Sequence, residues 1–116
     1  MTSNAIVFGW DRSLPGREQL SGKHFQDFLA YLQAQKAAGK IESFDPVLLE
    51  PHGGSVNGFF LIRGTSQQIA AIAESPEWIQ HQIRAQLHLD GSGSWRAVVG
   101  PAVGERMKMW MEAIPK

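Results

Sequence analysis

Short runs of β-branched and aromatic residues alternate along the chain with amphipathic stretches, and this alternation predicts the order of strands and helices. One run contains Pro46, which cannot donate a hydrogen bond to a neighbouring strand, so we expect it at a sheet edge. The next run follows a turn-rich linker and should pair with it as an antiparallel hairpin. The four predicted strands cover residues 4–12, 41–50, 58–63 and 94–99.

Apolar residues at helical spacing predict a helix after the first strand and another at the C-terminus. The first helix is expected over residues 23–38, with Gly39 as its C-cap. The connection over residues 11–22 contains Pro15 and Gly16 and is predicted to be irregular. The spacing i, i+3, i+4, i+7 is met by Phe25, Phe28, Leu29 and Leu32, and again by Met107, Trp110, Met111 and Ile114.

Between the third and fourth strands the sequence predicts a helix that stops and restarts. Thr65 or Ser66 can cap the first piece, which should run through Ala73. The segment Ser75-Pro76-Glu77-Trp78 then begins a second piece. Serine suits an N-cap, proline the first helical position and an early glutamate the helix dipole. We expect this second piece to reach about residue 86.

These elements give a βαββαβ order, the order of a ferredoxin-like α+β fold with a four-stranded antiparallel sheet and a C-terminal helix. With 116 residues, the chain is expected to form one domain over residues 1–116. Helices in this order cover one face of the sheet, yet the strands are apolar on both. Val7 and Leu61, for example, alternate with Ile6 and Phe60. We therefore predict a homodimer whose sheets face each other; the alternative is that the C-terminal helix covers the second face.

Composition narrows the range of partners. Eleven basic and eleven acidic residues cancel, which argues against nucleic acid or anionic membrane as a partner. The absence of cysteine excludes disulfides, thiolate catalysis and cysteine-based zinc sites. No signal peptide or membrane-spanning run is apparent, so we expect a cytoplasmic protein. No motif indicates a cofactor.

The order of elements, the helix restart at Ser75-Pro76-Glu77-Trp78 and the doubly apolar strands resemble the dimeric α+β barrel superfamily, particularly its YCII-related members. The resemblance covers approximately residues 5–99. It implies a homodimer with a cleft between sheet and helices; some members are small-molecule oxygenases or lyases, some bind haem, and many have no assigned activity. The YCII pattern pairs a histidine with an aspartate, which makes His24 the candidate histidine and Asp45 its candidate partner.

His24 is the candidate catalytic residue, since histidine titrates near neutrality and could act as a general base at a cleft mouth. The alternative is a solvated histidine in the first helical turn. Trp10 and Arg12 end the first strand, where an aromatic wall and a guanidinium would suit a ligand with a carboxylate. Their alternative roles are core edge and surface salt bridge.

Glu50 and Arg63 end neighbouring strands and are further candidate substrate-binding residues, although they could simply pair across the hairpin. His81 and His88 are seven residues apart, but no carboxylate lies between them at ligand spacing, so we predict no metal site.

Two functions remain open from the sequence. The first is a small-molecule enzyme of the lyase, isomerase or cofactor-free oxygenase type. The second is a non-catalytic binding or accessory module, because no strong catalytic signature is present. An enzyme should show a shared pocket in the cleft where His24, Trp10 and Arg12 lie, whereas a binding module should show a pocket lined by apolar groups without a convergent acid and base.

Overall fold

The framework of the protein is a four-stranded antiparallel sheet, seen in a computed structural model that describes residues 3–115. Two short strands form a separate two-stranded ladder. Within the described residues, no helix combines the length and apolar character needed to cross a bilayer. The strands are β1 (Ala5–Trp10), β2 (Arg12–Ser13), β3 (Ser43–Leu48), β4 (Gly58–Arg63), β5 (Leu89–Asp90) and β6 (Gly93–Ala97), and the helices are α1 (Glu18–Ala37), α2 (Ser66–Glu74), α3 (Pro76–Gln86) and α4 (Ala102–Glu112).

The main sheet has the strand order β3-β4-β1-β6, with every neighbouring pair antiparallel. The predicted α+β class and four-stranded antiparallel sheet are therefore confirmed. β3 lies at an edge, as its proline requires, and pairs with β4 as the expected hairpin. β1 is central and joins the hairpin to β6.

The first helix begins five residues earlier than predicted. α1 starts at Glu18, and Gly22, which was assigned to the irregular connection, lies inside it. A glycine weakens a helix without necessarily ending it, and a methyl group at this position would meet no other atom. Arg17 precedes the helix without a side-chain capping bond, so the sequence carries no capping signal there. The C-terminal end follows the prediction, because Gly39 adopts φ 72° and its N–H bonds to the Lys36 carbonyl.

The stop and restart between α2 and α3 is set by two capping residues. Thr65 forms a capping box with Gln68: its hydroxyl accepts from the Gln68 N–H, and the Gln68 side chain accepts from the Thr65 N–H. Ser75 caps α3 by accepting from the Trp78 N–H, with Pro76 at the first helical position. Both helix starts agree with the sequence prediction.

Replacement of Thr65 with alanine should lower the free energy of unfolding by about 1 kcal/mol, because the N-terminal amides of α2 lose their acceptor. Urea unfolding of Thr65→Ala against the parent protein measures the difference. Thr65→Ser keeps the hydroxyl and is the matched control. Equal stability of the alanine variant and the parent would show that water replaces the cap at no cost.

The core lies between one face of the sheet and helices α1, α2 and α3. Ile6 and Phe8 of β1 and Phe60 and Ile62 of β4 point towards these helices and are almost fully buried. The helices contribute the remaining buried apolar side chains, among them Phe28, Tyr31, Leu32, Ile69, Ile72 and Trp78. The same sheet face therefore anchors the packing of all three helices.

The opposite face of the sheet carries apolar side chains that no helix in the described part of the chain covers. We call this the open face; Val7, Val47, Phe59 and Leu61 lie on it half-buried, and Trp95 is 58% exposed. The alternative in which the C-terminal helix covers this face is wrong, because no residue of α4 is buried. The sheet is thus apolar on both faces, as the sequence predicts, and the helices of the described residues cover one of them.

Candidate functional site

An aromatic cavity of about 260 Å³ lies between the sheet and α1. Strands β1 and β4 supply one wall, α1 a second, and the segment after α3 a third. Apolar side chains, five of them aromatic rings, make up most of the lining, and the polar side chains are confined to one side. The lining residues are Phe8, Trp10, Ser21, Gly22, His24, Phe25, Phe28, Leu48, Phe60, His88 and Leu89.

Edge-to-face packing fixes the aromatic wall. The ring centroid of Phe28 lies 4.9 Å from that of Phe60 and 5.3 Å from that of Phe8, with interplanar angles of 81° and 65°. Trp10 lies over Gly58 in the neighbouring strand, where a Cβ would stand 2.5 Å from the indole ring. Gly58 is therefore required for Trp10 to turn its ring into the cavity wall.

The polar side of the cavity is formed by Ser21, His88 and His24. These side chains and His81 behind them make a continuous hydrogen-bonded row in the order Ser21, His88, His24 and His81, which we call the imidazole row. Ser21 Oγ lies 2.8 Å from His88 Nδ1, and His88 Nε2 lies 2.7 Å from His24 Nδ1. His24 Nε2 lies 2.9 Å from His81 Nδ1. Both ring nitrogens of His24 are thus occupied by other imidazoles.

The short β2–β5 ladder positions the cavity end of this row. It pairs Ser13 with Leu89, and the Leu14 N–H bonds to the His88 carbonyl at 2.8 Å. The hydroxyl of Ser13 lies 2.7 Å from that of Ser21. His88 is therefore held by backbone pairing on one side and by Ser21 and His24 on the other.

Burial keeps the row in its neutral form. His24 is 3% exposed and His88 4% exposed. Burial and then the positive charge of Arg84 lower the pKa of His24 from 6.5 to about 4. The same two causes, in the same order, lower the pKa values of His81 and His88. All three rings are therefore neutral at pH 7.

Three neutral imidazoles in a row allow only two self-consistent hydrogen patterns, since each ring carries one N–H and one acceptor nitrogen. In one pattern Ser21 donates to His88, His88 to His24, and His24 to His81. In the other every bond points the opposite way. Passage of one proton from end to end converts the first pattern into the second without leaving a charge on any ring.

The outer end of the row opens towards solvent. His81 lines a surface groove together with Glu77 and Arg84. Arg84 donates to Asp27 at 2.8 Å, and Lys23 donates to the other oxygen of the same carboxylate at 2.8 Å. These bonds, the Lys23 bond first, lower the pKa of Asp27. The row therefore joins the inner cavity to a polar groove on the surface.

The structure places the residues predicted for the site in different regions. His24 and Trp10 line the cavity, and His24 is buried, so the solvated alternative for this histidine is wrong. Arg12 is exposed and lies in a separate groove beyond Trp10. Glu50 is exposed at the end of the hairpin. The alternative in which Glu50 pairs with Arg63 across the hairpin is wrong, because Arg63 pairs with Asp45.

Asp45 is not the partner of His24. Its carboxylate accepts from Arg63 at 2.5 Å, across the β3–β4 hairpin on the side of the sheet that faces away from α1. His24 contacts His81 and His88 instead. Among the described residues, no group of three or more His, Asp or Glu is arranged to hold a metal ion.

Sequence reasoning missed His81 and His88 as partners of His24, and Ser21 as a partner of His88. The available signal was helical spacing: His81 follows the buried Trp78 by three residues and precedes the buried Ala85 by four, so it lies on the inner face of α3. His24 precedes Phe28 by four and lies on the inner face of α1. Ser21 has the same spacing, three residues before His24 and seven before Phe28, but it precedes residue 23, where the sequence predicts the helix to begin.

No family model and no curated protein sequence matches the chain. Among solved structures, it is similar to a dimeric protein of unknown function and ferredoxin-like fold from Bacteroides fragilis NCTC 9343, with 13% sequence identity and a TM-score of 0.52. The match covers 79% of this chain and 94% of that protein. The chain has a ferredoxin-like fold. In this ferredoxin-like chain the cavity and the imidazole row lie between the sheet and its first and third helices.

Proposed function

We propose that the protein is a small-molecule enzyme that moves a proton to or from an apolar ligand bound in the aromatic cavity. The imidazole row is the observation that carries the proposal. A convergent set of hydrogen-bonded imidazoles at the wall of an apolar cavity is suited to general acid–base chemistry. The reaction is of the isomerase or lyase type, in which a C–H or O–H proton is removed and a proton is returned.

Each member of the row has a defined role. Ser21 and His88 form the cavity end and exchange the proton with the ligand. His24 is the middle of the row, since both of its ring nitrogens face other imidazoles. A base with a pKa of about 4 does not store a proton at pH 7, so His24 passes it on. His81 is the outer end, which exchanges with water in the groove beside Glu77 and Arg84.

The cavity favours a small aromatic or aliphatic ligand with one polar group. Its volume of about 260 Å³ lies below the usual range for drug-sized ligands. Trp10 would pack against the apolar body and Ser21 would meet the polar group. We propose Arg12 only for a ligand that extends past Trp10 into the neighbouring groove. Glu50 and Arg63 are not included in the site, because neither lines the cavity.

The second candidate function is a non-catalytic binding module. It is favoured by the predominantly aromatic lining, which suffices to hold an apolar ligand without any chemistry. In that case the histidines are internal polar residues that satisfy one another. The two functions differ in one measurable property, which is whether a bound ligand exchanges its acidic proton.

The protein is incubated in D₂O with a panel of small carbonyl compounds and phenyl ketones. If it is the proposed enzyme, a compound that binds should take up deuterium at the carbon next to its carbonyl group. Proton NMR of each compound measures the loss of signal. We expect exchange to fall at least about a hundredfold in His88→Phe, because general acid–base catalysis contributes this much. His52→Gln changes an exposed loop histidine and is the matched control.

Binding of several compounds with no exchange above the buffer rate would overturn the enzyme and support the binding module. Exchange that survives in His88→Phe and in His24→Gln would show that the chemistry occurs elsewhere. Far-UV circular dichroism of each variant establishes that the fold is retained before either conclusion is drawn.

We also propose that the protein is a cytoplasmic homodimer related to the YCII-related proteins. The open face is an apolar surface without cover, and burial of such a surface is favourable by about 25 cal/mol per Å². The similar structure from Bacteroides fragilis is dimeric. Sedimentation equilibrium gives the mass directly. A single subunit at micromolar concentration would contradict the dimer.

A further inference from the structure

We propose that α4 packs against a second copy of the chain, so that each subunit of the dimer is covered in part by the C-terminal helix of the other. This inference rests on the proposed homodimer and extends it. Burial of the open face alone would bring the sheets of the two subunits into contact. The helix α4 would add a second contact between the subunits, separate from that between the sheets.

α4 has an apolar stripe that no other part of residues 3–115 covers. At 100° per residue, Val103, Met107 and Trp110 fall within about 60° of arc, with Met111 beside them. The opposite side carries Glu105, Lys108, Met109 and Glu112. No residue of α4 is buried, and Trp110 and Met111 are 60% and 59% exposed.

A helix of this length needs packing to be stable. α4 has eleven residues, and isolated helices shorter than about 12–15 residues are marginal in water. Its N-terminal cap position is Pro101, without a side-chain capping bond, and its last turn has no basic residue. Glu105 in the first turn suits the helix dipole, but a single exposed charge contributes little, so the apolar stripe must supply most of the stability of this helix.

A second copy of the chain is the occupant that satisfies both uncovered surfaces at once. The stripe and the open face belong to the same chain, so a two-fold pair buries two of each. The exposed side chains of the stripe present on the order of 500 Å² per subunit, at ~150–250 Å² for a large side chain. Two stripes and two open faces together reach the ~1,200–2,000 Å² of a stable interface. The charges of α4 balance, because Glu105 and Glu112 are matched by Arg106 and Lys108, which suits a copy of the same neutral chain.

The test compares two glutamate substitutions on the same helix. Met107 and Met109 are both 50% exposed, but only Met107 lies in the stripe. Met107→Glu is expected to weaken the dimer at least about tenfold, whereas Met109→Glu leaves the dissociation constant unchanged. Sedimentation equilibrium over a concentration series measures both. The helical content from circular dichroism establishes that each variant is folded.

A second measurement locates the contact. A sample mixed from a chain with ¹³C-labelled methionine methyl groups and an unlabelled chain, equilibrated as a dimer, should give isotope-filtered NOEs from the α4 methyl groups to the unlabelled chain. A dimer that lacks these NOEs and is equally stable in Met107→Glu and Met109→Glu would overturn this inference and leave the homodimer intact. A monomeric parent protein would overturn both.

Discussion

Acidification from pH 7 to pH 4 is expected to lower the free energy of unfolding by about 3 kcal/mol through His24 alone. The pKa of His24 is about 4 in the folded protein and 6.5 as a free side chain. Between these two values the unfolded chain binds a proton and the folded chain does not. The stability is therefore complete above pH 6.5 and is lost as the pH falls towards 4. His81 and His88 shift in the same direction and add to the loss.

Urea unfolding at one fixed protein concentration, repeated at half-unit steps of pH, measures this dependence. In His24→Gln the free energy of unfolding should fall less steeply between pH 6.5 and pH 4.5 than in the parent protein, even though the variant is less stable at pH 7. His52→Gln should keep the slope of the parent protein, because it changes a histidine outside the row. Equal slopes in the parent and in His24→Gln would mean that His24 takes up its proton in the folded state without penalty.

Replacement of Phe28 with alanine is expected to destabilise the fold by about 3–5 kcal/mol, the range for truncation of a buried aromatic ring. Phe28 is 1% exposed and is one of the largest fully buried side chains. Its ring contacts the sheet through Phe60 and the row through His81, with ring centroids 5.1 Å apart in the latter pair. Loss of the ring leaves a hole that joins the cavity and loosens the packing behind His24.

Thermal and urea unfolding of Phe28→Ala, Phe28→Leu and Leu20→Ala separate these effects. Phe28→Leu keeps most of the volume and should lose less stability than the alanine variant. Leu20 lies on the exposed side of α1 at 57% exposure, so its truncation should change stability by less than about 0.5 kcal/mol. If Phe28→Ala proved as mild as Leu20→Ala, the ring would not be an essential part of the core.

The fold was predictable wherever its signals are local. Thr65 and Ser75 cap helices through bonds to residues three positions away, and Pro46 excludes a central strand by its own chemistry. The two-residue strands β2 and β5 were missed, because they pair residues such as Arg12 and Asp90 that are far apart in sequence. Such pairing leaves no mark on hydrophobic spacing.

The site was predictable only in part, since it is assembled by tertiary contacts. The sequence indicated His24 as a candidate base and Trp10 as a candidate wall, and both line the cavity. The contacts of His24 with His81 and His88 join residues 57 and 64 positions apart, and the packing of α1 against α3 decides them. The register of β3 on β4 likewise places Asp45 beside Arg63, whereas the family resemblance suggested His24 as the partner of Asp45 and the strand ends suggested Glu50 as the partner of Arg63.

The wall of the cavity is also the centre of the core: Phe8, Phe28 and Phe60 belong to both. A change that reshapes the space for a ligand therefore changes the packing on which the whole domain depends. Relatives that diverged in ligand preference would need compensating substitutions on the sheet and on α1 together. Directed evolution of selectivity in this scaffold should accordingly begin from a stabilised parent, in which a loss of packing can be tolerated while a new cavity shape is selected.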